Sequence, residues 1–274
     1  ETCNALKEFM GEGVGCYADR AAWAKLVPYL KGYTTHVITA GETLWGIADT
    51  YDTLVSAILT ANPSLDAMDL QIGTRIYVPF SFALVDESVP YTSSLTEFIL
   101  EGLRIRYPFL VSGCIGKSVM GREVCYLQIG EGQTQVCYSA CFHANEWITT
   151  PILLKFAESY AKAYADGEDL YGEDTEALFG EYSLFLIPMV NPDGADLVNG
   201  MIRNEEYIEQ ALAIASDYPT IPYPDGWKAN INGIDLNLQF PAGWENAKEI
   251  KFAQGYTSPA PRDFVGEAPL SAVE

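Results

Sequence analysis

The sequence predicts an α/β protein: a mixed, twisted β-sheet flanked by helices, preceded by a small βααβ module and a short helical segment. Two observations carry this prediction. From residue 91 onward, apolar runs of strand length alternate with amphipathic stretches of helical length, which is typical of a sheet with helices on its faces. Upstream, residues 33–80 contain two strand-like runs around two short helical runs.

The composition is that of a folded, acidic protein. Of 274 residues, 49% are hydrophobic and 19% are charged, and the formal net charge is −21. This charge argues against a nucleic-acid partner, because Lys and Arg bind phosphates. No apolar run reaches the length of a membrane span, and the start of the chain lacks the regions of a signal peptide. We therefore expect no membrane span, while a cleaved precursor stays open.

The cysteines form no C-x-x-C pattern, and the chain is large enough to fold without a disulfide framework. Cys137 and Cys141 are four apart on a predicted strand, so they share a face and are interpreted as small buried hydrophobic residues. This favours a reducing setting. A bridge between Cys3 and Cys16 remains open.

The sequence of residues 1–32 predicts two short helices on either side of a Gly-rich turn at residues 11–15. The second piece starts at Asp19 as the predicted N-cap and is bent or ended by Pro28. Its apolar residues at helical spacing are Trp23, Leu26, Val27 and Leu30. The segment resembles the end of a small helical peptidoglycan-binding domain, in which such a turn leads to an Asp-x-x-x-Trp-x-x-Leu helix. A helical cap on the next module is the alternative.

Residues 33–80 predict a βααβ module. Thr43 stands near the N-cap of the first helix, and Asn62-Pro63 closes the second. The predicted elements are strand 36–39, a helix within 41–48, a helix starting within 53–58, and strand 72–79.

Three motifs of this module are specific in combination: Gly-Glu-Thr-Leu-Trp-Gly-Ile-Ala, the Asn-Pro after the second helix, and the ending Gly-x-x-Ile-x-Val-Pro. Together they resemble a LysM module, a family that binds N-acetylglucosamine of peptidoglycan or chitin. The resemblance implies a groove lined by Gly41, Glu42, Thr43, Leu44, Asn62 and Ile72. Survival of the fold as a mere spacer is the alternative. His36 is interpreted as a strand residue rather than a metal ligand.

Residues 81–90 predict a linker, and residues 91–274 form the large domain. The acidic stretch 167–181 is interpreted as a solvated loop and helix face. The predicted elements of the domain are helix 92–106, strands 124–129 and 136–142, a helix from 147 to 164, and a buried strand 182–190.

His143-x-x-Glu146 follows the predicted strand 136–142 and precedes a helix. An imidazole and a carboxylate that converge there supply two of the three protein ligands of a catalytic His₂Glu zinc site. The alternative is a solvated histidine and a glutamate favoured by the helix dipole. Trp147 is placed to shield one side, and the one other histidine, His36, lies far upstream.

Three further motifs follow in order: Asn191-Pro192-Asp193-Gly194 after a strand, Asn232–Phe240, and the segment 262–274, which ends in Ser271-x-x-Glu274. Each has an ordinary interpretation by itself. These are a Pro-Asp-Gly turn, a short strand entering a turn, and a loop ending in a helix start with a capping box.

Taken together and in this order, the motifs over most of residues 91–274 resemble the zinc metallocarboxypeptidase family. The resemblance implies zinc held by His143 and Glu146. It also implies a substrate contact at Asn237 and carbonyl polarisation by Lys228, where the family often has an arginine. The branch it most resembles cleaves the γ-D-glutamyl–diaminopimelate bond of cell-wall peptides, a substrate that suits a LysM module.

Two departures qualify the resemblance. Leu238 stands where true carboxypeptidases have an arginine that clamps the C-terminal carboxylate, and a leucine cannot form that bidentate pair. In the family a third ligand, a histidine, and a glutamate general base follow later, whereas this sequence stops at Glu274. The sequence is therefore interpreted either as an incomplete copy of a longer protein or as a degenerate, non-catalytic relative.

The predicted function is that of a peptidoglycan-directed zinc peptidase with glycan and stem peptides as partners. The alternatives are a wall-binding protein whose peptidase-like domain does not cut, and another zinc amide or ester hydrolase. Cell-wall binding predicts the bacterial cell wall or secretion, and the cytoplasm remains open because of the cysteines.

Overall fold

The computed structural model describes residues 20–274. The predictions for Asp19, the Gly-rich turn and the Cys3–Cys16 pair lie outside these residues. The described chain divides into two compact units, one of residues 20–89 with 98–109 and one of residues 90–97 with 110–274. No described helix combines the length and the apolar character needed to cross a membrane.

The first unit contains the predicted βααβ order. Its elements are α1 (Arg20–Lys31), β1 (Tyr33–Val37), α2 (Leu44–Thr50), α3 (Val55–Ala61) and β2 (Arg75–Pro79). The two strands pair antiparallel, with Tyr33 opposite Pro79 and Val37 opposite Arg75. The strands and helices share a small apolar core of Ile38, Leu44, Ile47, Ala48, Ile58, Ile76 and Val78. This module is therefore held together by burial of one face of each element.

Side-chain caps set the helix limits in this module, as the sequence predicts. Thr43 Oγ1 accepts a hydrogen bond from Gly46 N at 3.1 Å and begins α2. Asn62 ends α3, because its Nδ2 donates to the carbonyl oxygens of Ile58 and Tyr77, each at 2.7 Å. Its Oδ1 accepts from Tyr77 N at 2.9 Å, which ties α3 to β2.

Helix α4 (Ser93–Arg106) is confirmed, and its residues from Phe98 onward belong to the first unit. There Lys31 Nζ donates to Glu101 Oε1 at 2.8 Å. The buried Arg106 donates from Nε and Nη2 to Gly32 O at 3.1 and 2.8 Å. A Cβ at Gly102 would lie 2.1 Å from the Lys31 carbonyl oxygen, so only glycine permits this approach. Helix α1 continues past Pro28 to Lys31.

The second unit contains the predicted mixed sheet. Its strands are β3 (Val111–Lys117), β4 (Glu123–Ile129), β5 (Thr134–Ser139) and β6 (Tyr182–Ile187), in the spatial order β3-β4-β6-β5. Its helices beyond the start of α4 are α5 (Thr149–Asp166), α6 (Thr175–Glu181), α7 (Pro192–Val198), α8 (Glu205–Ser216) and α9 (Trp244–Ala253). Strand β5 pairs parallel with β6, and the other pairings are antiparallel. The sequence did not predict β3, α8 or α9.

Strand β5 differs from its prediction in length and burial. It ends at Ser139 and lies at an edge of the described sheet, and most of its side chains are exposed. The interpretation of Cys137 as buried is therefore wrong, while Cys141 is buried just beyond the strand. Cys114 and Cys125 lie opposite each other on β3 and β4 and form a disulfide that the sequence did not predict.

Three local interpretations are also wrong. Asn191-Pro192-Asp193-Gly194 begins helix α7 rather than a turn, since Asn191 Oδ1 accepts from Gly194 N at 3.0 Å and Pro192 occupies the first helical turn. Residues 271–274 are not helical. Ser271 does not cap a helix there, because its N and Oγ donate to Gln239 Oε1 at 2.7 and 3.0 Å. The segment predicted as a short strand before Phe240 is a single 3₁₀ turn, Leu236–Leu238.

Candidate active site

His143 and Glu146 lie at the two ends of one 3₁₀ turn, Ala144–Glu146, between β5 and α5. Two backbone bonds hold this turn on a neighbouring segment, from Ala144 N to Lys228 O at 3.0 Å and from Asn145 N to Trp227 O at 3.1 Å. The turn brings His143 Nδ1 to 3.1 Å from Glu146 Oε2. The predicted convergence of the imidazole and the carboxylate is thus present.

The second ring nitrogen of His143 contacts a residue to which the sequence gave no role. His143 Nε2 lies 3.3 Å from Oδ1 of Asp235, which is 4% exposed. A carboxylate behind a histidine is common at metal sites, because it sets the ring orientation and makes the other nitrogen a better ligand. Asp235 stood inside a motif, but nothing in the linear sequence says that it meets His143.

The spacing of Nδ1 and Oε2 fits a shared metal ion. Zinc binds histidine nitrogen and carboxylate oxygen at roughly 2.0–2.2 Å, which places two ligand atoms of a tetrahedral site about 3.3 Å apart. The 3.1 Å between His143 Nδ1 and Glu146 Oε2 is close to that separation. Asp235 leaves Nδ1 as the nitrogen available for the metal.

The charges of the two candidate ligands are set by their neighbours. The hydrogen bond to Asp235 raises the pKa of His143. Burial lowers that pKa, and the hydrogen bond and charge of Glu146 raise it further. Burial by itself would raise the pKa of Glu146, but hydrogen bonds from Lys228 and His143 outweigh it and hold that pKa below its ordinary value. Glu146 is therefore ionised at neutral pH, as a metal ligand must be.

Lys228 reaches the same carboxylate from the other side. Its Nζ lies 2.9 Å from Glu146 Oε1. Its position is set by the backbone, because Lys228 N donates to Pro261 O at 2.7 Å and the adjacent Trp227 is fully buried. The geometry thus places one ammonium group beside the candidate metal ligands.

Asn237 lies on the 3₁₀ turn that follows Asp235. Its backbone N donates to Asp235 Oδ1 at 3.2 Å, so one carboxylate contacts both His143 and Asn237. The Asn237 side chain is exposed. Within the described chain its amide has no hydrogen-bond partner, so it is open to a ligand. Leu238 beside it is half-buried and carries no charge.

The candidate glycan residues lie at one end of the first unit. Because β1 and β2 are antiparallel, the turn after β1 adjoins the loop before β2, and Gly73 N donates to Ile38 O at 2.8 Å. Gly41 has a φ of 84°, and Ile72 is 71% exposed.

Several candidate glycan side chains have a role within the fold. Glu42 Oε2 accepts from Thr39 N at 2.6 Å and lies 3.0 Å from His36 Nε2, while Thr43 caps α2. The Leu44 side chain belongs to the core, and the Asn62 amide is bonded to the backbone of α3 and β2. His36 lies in β1 and contacts Glu42 and Tyr51.

Comparison with known proteins agrees with both units. Residues 96–274 match the profile of the zinc carboxypeptidase family, and residues 36–79 match the LysM domain. The chain is 40% identical to gamma-D-glutamyl-L-diamino acid endopeptidase 1 of Lysinibacillus sphaericus, over 87% of this chain and 72% of that protein. It is 37% identical to the uncharacterized protein YqgT of Bacillus subtilis (strain 168), over 69% of this chain and half of that protein.

A solved structure shows the same fold. The crystal structure of thrombin activatable fibrinolysis inhibitor superposes with a TM-score of 0.50 at 20% identity, covering 68% of this chain and 44% of the other. At this identity the likeness speaks for the fold alone.

Proposed function

The chain belongs to the zinc carboxypeptidase family, and from this membership we propose that it acts as a peptidoglycan-directed zinc peptidase. The bond that it hydrolyses joins γ-D-glutamate to a diamino acid, such as diaminopimelate, in cell-wall stem peptides. The observation that carries the proposal is the His143–Glu146 pair, with Nδ1 and Oε2 3.1 Å apart and Asp235 behind the ring. The 40% identity to an endopeptidase of this specificity supports the choice of bond.

Within this proposal, zinc would be held by His143 Nδ1 and Glu146. The metal would supply a Lewis acid and a water of lowered pKa for attack on the amide. Asp235 would orient His143, which it contacts, and Lys228, which contacts Glu146, would polarise the scissile carbonyl. Asn237 offers its free amide to the substrate.

A complete site of this type needs a third protein ligand and a general base. Of the two histidines in the sequence, His36 hydrogen-bonds inside the LysM domain and cannot serve. We propose that the third ligand and the base are contributed by residues outside these 274. The chain spans 72% of the Lysinibacillus enzyme and half of YqgT. The proposed activity is therefore that of the protein at its natural length.

Leu238 supports cleavage of an internal bond. It offers no guanidinium to clamp a free C-terminal carboxylate next to Asn237, which a carboxypeptidase uses to select the last residue. An endopeptidase acting on stem peptides has no need of that clamp at this position.

The LysM domain supports a wall-bound substrate. We propose that it holds glycan between the turn containing Gly41, Glu42, Thr43 and Leu44 and the loop from Asn62 to Ile72. Backbone groups and the exposed Ile72 would make the contacts, since Leu44 and Asn62 serve the fold. The cell wall or the extracellular space is the proposed location, and the Cys114–Cys125 disulfide supports an oxidising compartment.

The test uses the protein at its natural length. Metal analysis is expected to find one zinc per protein, and L-Ala-γ-D-Glu-diaminopimelate is expected to release diaminopimelate, detected by mass spectrometry. Binding of muropeptides without release would favour the non-catalytic, wall-anchoring alternative. Hydrolysis of simple esters or unrelated amides, with the stem peptide untouched, would favour a different zinc hydrolase.

A further inference from the structure

A short segment, Pro261–Phe264, is attached to the candidate active site at several points. Pro261 O accepts from the backbone nitrogens of Lys228 and Ala229 at 2.7 and 2.9 Å. Asp263 N donates to Asp235 Oδ2 at 3.0 Å, and Asp235 N donates to Phe264 O at 2.9 Å. Arg262 is therefore flanked in the sequence by Pro261, which is hydrogen-bonded to Lys228, and Asp263, which is hydrogen-bonded to Asp235.

The side chains of this segment form a cluster with an excess of positive charge. Asp263 Oδ1 accepts from Lys251 Nζ at 2.5 Å, and Asp263 Oδ2 accepts from Arg262 Nε at 2.7 Å. Two cations thus share one carboxylate in a chain whose formal net charge is −21. Burial by itself would raise the pKa of Asp263, but the hydrogen bonds from Lys251 and Arg262 outweigh it and lower that pKa. Asp263 is therefore the one anionic side chain that the hydrogen bonds of Lys251 and Arg262 reach in this cluster of described residues.

The guanidinium of Arg262 is only partly used by this cluster. Its Nε contacts Asp263, and among the described residues its two terminal nitrogens have no acceptor. The Arg262 side chain is 41% exposed, whereas that of Asp263 is 15% exposed. The backbone of Asp263 is left-handed, with a φ of 68°, a conformation that non-glycine residues adopt rarely. When Nε of an arginine is hydrogen-bonded and its two terminal nitrogens have no acceptor, those two nitrogens can donate to both oxygens of a carboxylate.

We propose that Arg262 binds a free carboxylate of the substrate and so determines specificity at this site. The inference rests on the proposed function. A γ-glutamyl linkage uses the side-chain carboxyl of D-glutamate and leaves the α-carboxylate of the same residue free. The diaminopimelate residue brings two carboxylates of its own. Arg262 then supplies the anion recognition that Leu238 cannot supply.

Binding measurements test the proposal without turnover. The tripeptide L-Ala-γ-D-Glu-diaminopimelate, N-methylated at the scissile amide, is titrated calorimetrically into the protein at its natural length, which is the unmodified chain of the comparisons below. Three further peptides carry one of the three carboxyl groups as a carboxamide. We expect one of these to bind the unmodified chain about tenfold more weakly, because a hydrogen-bonded charge pair is lost. The carboxamide that weakens binding identifies which carboxylate Arg262 contacts.

Variants separate recognition from folding. In Arg262→Gln, the dissociation constants of the fully charged peptide and of the carboxamide that weakened binding to the unmodified chain are expected to agree within about twofold. The affinity for that carboxamide is expected to be the same in Arg262→Gln as in the unmodified chain. Arg262→Lys retains charge but not the planar fork and is expected to keep part of the preference. Arg203→Gln removes another exposed arginine, whose Nη1 donates to Gly200 O at 2.9 Å, and is expected to change nothing.

Equal binding of all four peptides by the unmodified chain would overturn the proposal and leave the proposed function intact. So would a preference that persists in Arg262→Gln. If no form of the peptide binds the natural-length protein, the proposed function fails and the role of Arg262 fails with it.

Discussion

Asp235 and His143 are 92 residues apart in the sequence, yet Asp235 Oδ1 lies 3.3 Å from His143 Nε2. The same carboxylate accepts backbone hydrogen bonds from Asn237 and Asp263 at 3.2 and 3.0 Å. One buried side chain therefore positions a candidate metal ligand, a candidate substrate residue and the segment that carries Arg262.

Replacement of Asp235 by Asn tests this arrangement. The amide keeps the size of the side chain but removes the negative charge behind His143, so zinc affinity is expected to fall about 10–100-fold. Competition with a chromophoric chelator measures the affinity. Asp225→Asn is the matched control. Asp225 contacts the site through its backbone carbonyl, which accepts from Asn145 Nδ2 at 2.8 Å and is unchanged by the substitution. Equal affinities of Asp235→Asn and the unmodified protein would show that Asp235 does not support the metal.

Replacement of Lys228 by Met removes the ammonium group 2.9 Å from Glu146 Oε1. If Lys228 stabilises charge that develops on the scissile carbonyl, kcat of the natural-length protein falls about 10²–10³-fold. Zinc content stays at one equivalent in that case. Lys228→Arg is expected to recover most of the rate because it restores the charge. A variant that loses zinc instead would assign Lys228 to the integrity of the metal site.

Replacement of Asp193 by Ala tests a buried ion pair that supports the start of α7. Asp193 is fully buried and contacts Arg122 Nη1 at 2.6 Å and Met120 N at 2.8 Å. Its removal leaves Arg122 without that partner and is expected to lower the free energy of unfolding by about 3 kcal/mol. Asp166→Ala, which breaks the exposed pair with Lys162, is expected to cost about 0.5 kcal/mol. Urea unfolding followed by circular dichroism measures both, and equal losses would contradict the prediction.

Acid is expected to loosen the packing of α1 against the later part of α4. Burial by itself would raise the pKa of Glu101, but hydrogen bonds from Lys31 and Tyr33 outweigh it and lower that pKa. Because the pKa of Glu101 is lower in the folded state, the ionised carboxylate stabilises the folded state at a pH above 4.5, the ordinary pKa of glutamate. That contribution disappears as the pH falls through the lowered pKa.

Fluorescence of Trp23, whose ring centroid is 6.3 Å from that of Phe98, reports this packing during an acid titration. The variant Glu101→Gln lacks the titrating group. It is expected to start from a less stable packing at neutral pH and to lose the part of the acid transition that belongs to Glu101. A titration curve identical to that of the unmodified protein would contradict the assignment to Glu101.

Two substitutions separate binding from folding in the LysM domain. Ile72→Ser changes a side chain that is 71% exposed, so pull-down on insoluble peptidoglycan is expected to weaken several-fold with little change in stability. Asn62→Ala removes three hydrogen bonds, one to Ile58 within α3 and two to Tyr77 in β2. It is expected to destabilise the domain by about 1–3 kcal/mol. Unchanged pull-down of Ile72→Ser would remove Ile72 from the glycan site.

Local signals in the sequence were enough for several elements. Thr43 begins α2 and Asn62 ends α3 because caps act within a few residues of the groups that they satisfy. The apolar pattern likewise predicted α4 and β4. The His143-x-x-Glu146 contact was predictable because both residues lie on one turn.

Contacts between distant segments were not predictable in this way. The exposure of the β5 side chains depends on what packs against the two faces of the strand, and the Cys114–Cys125 disulfide depends on the register of β3 against β4. The interpretation of Ser271 as a helix cap was wrong because Gln239, 32 residues away, takes its hydrogen bonds.

The sequence by itself predicted the α/β class and the LysM module, and its family resemblance named His143, Glu146, Lys228 and Asn237 as candidate site residues. The tertiary structure alone decided that Asp235 contacts His143, that Lys228 contacts Glu146, and that the segment carrying Arg262 is hydrogen-bonded to Lys228 and Asp235. Motif spacing reports neighbours along a helix or turn, whereas these contacts arise where separate loops pack together, and their distances follow from the fold as a whole.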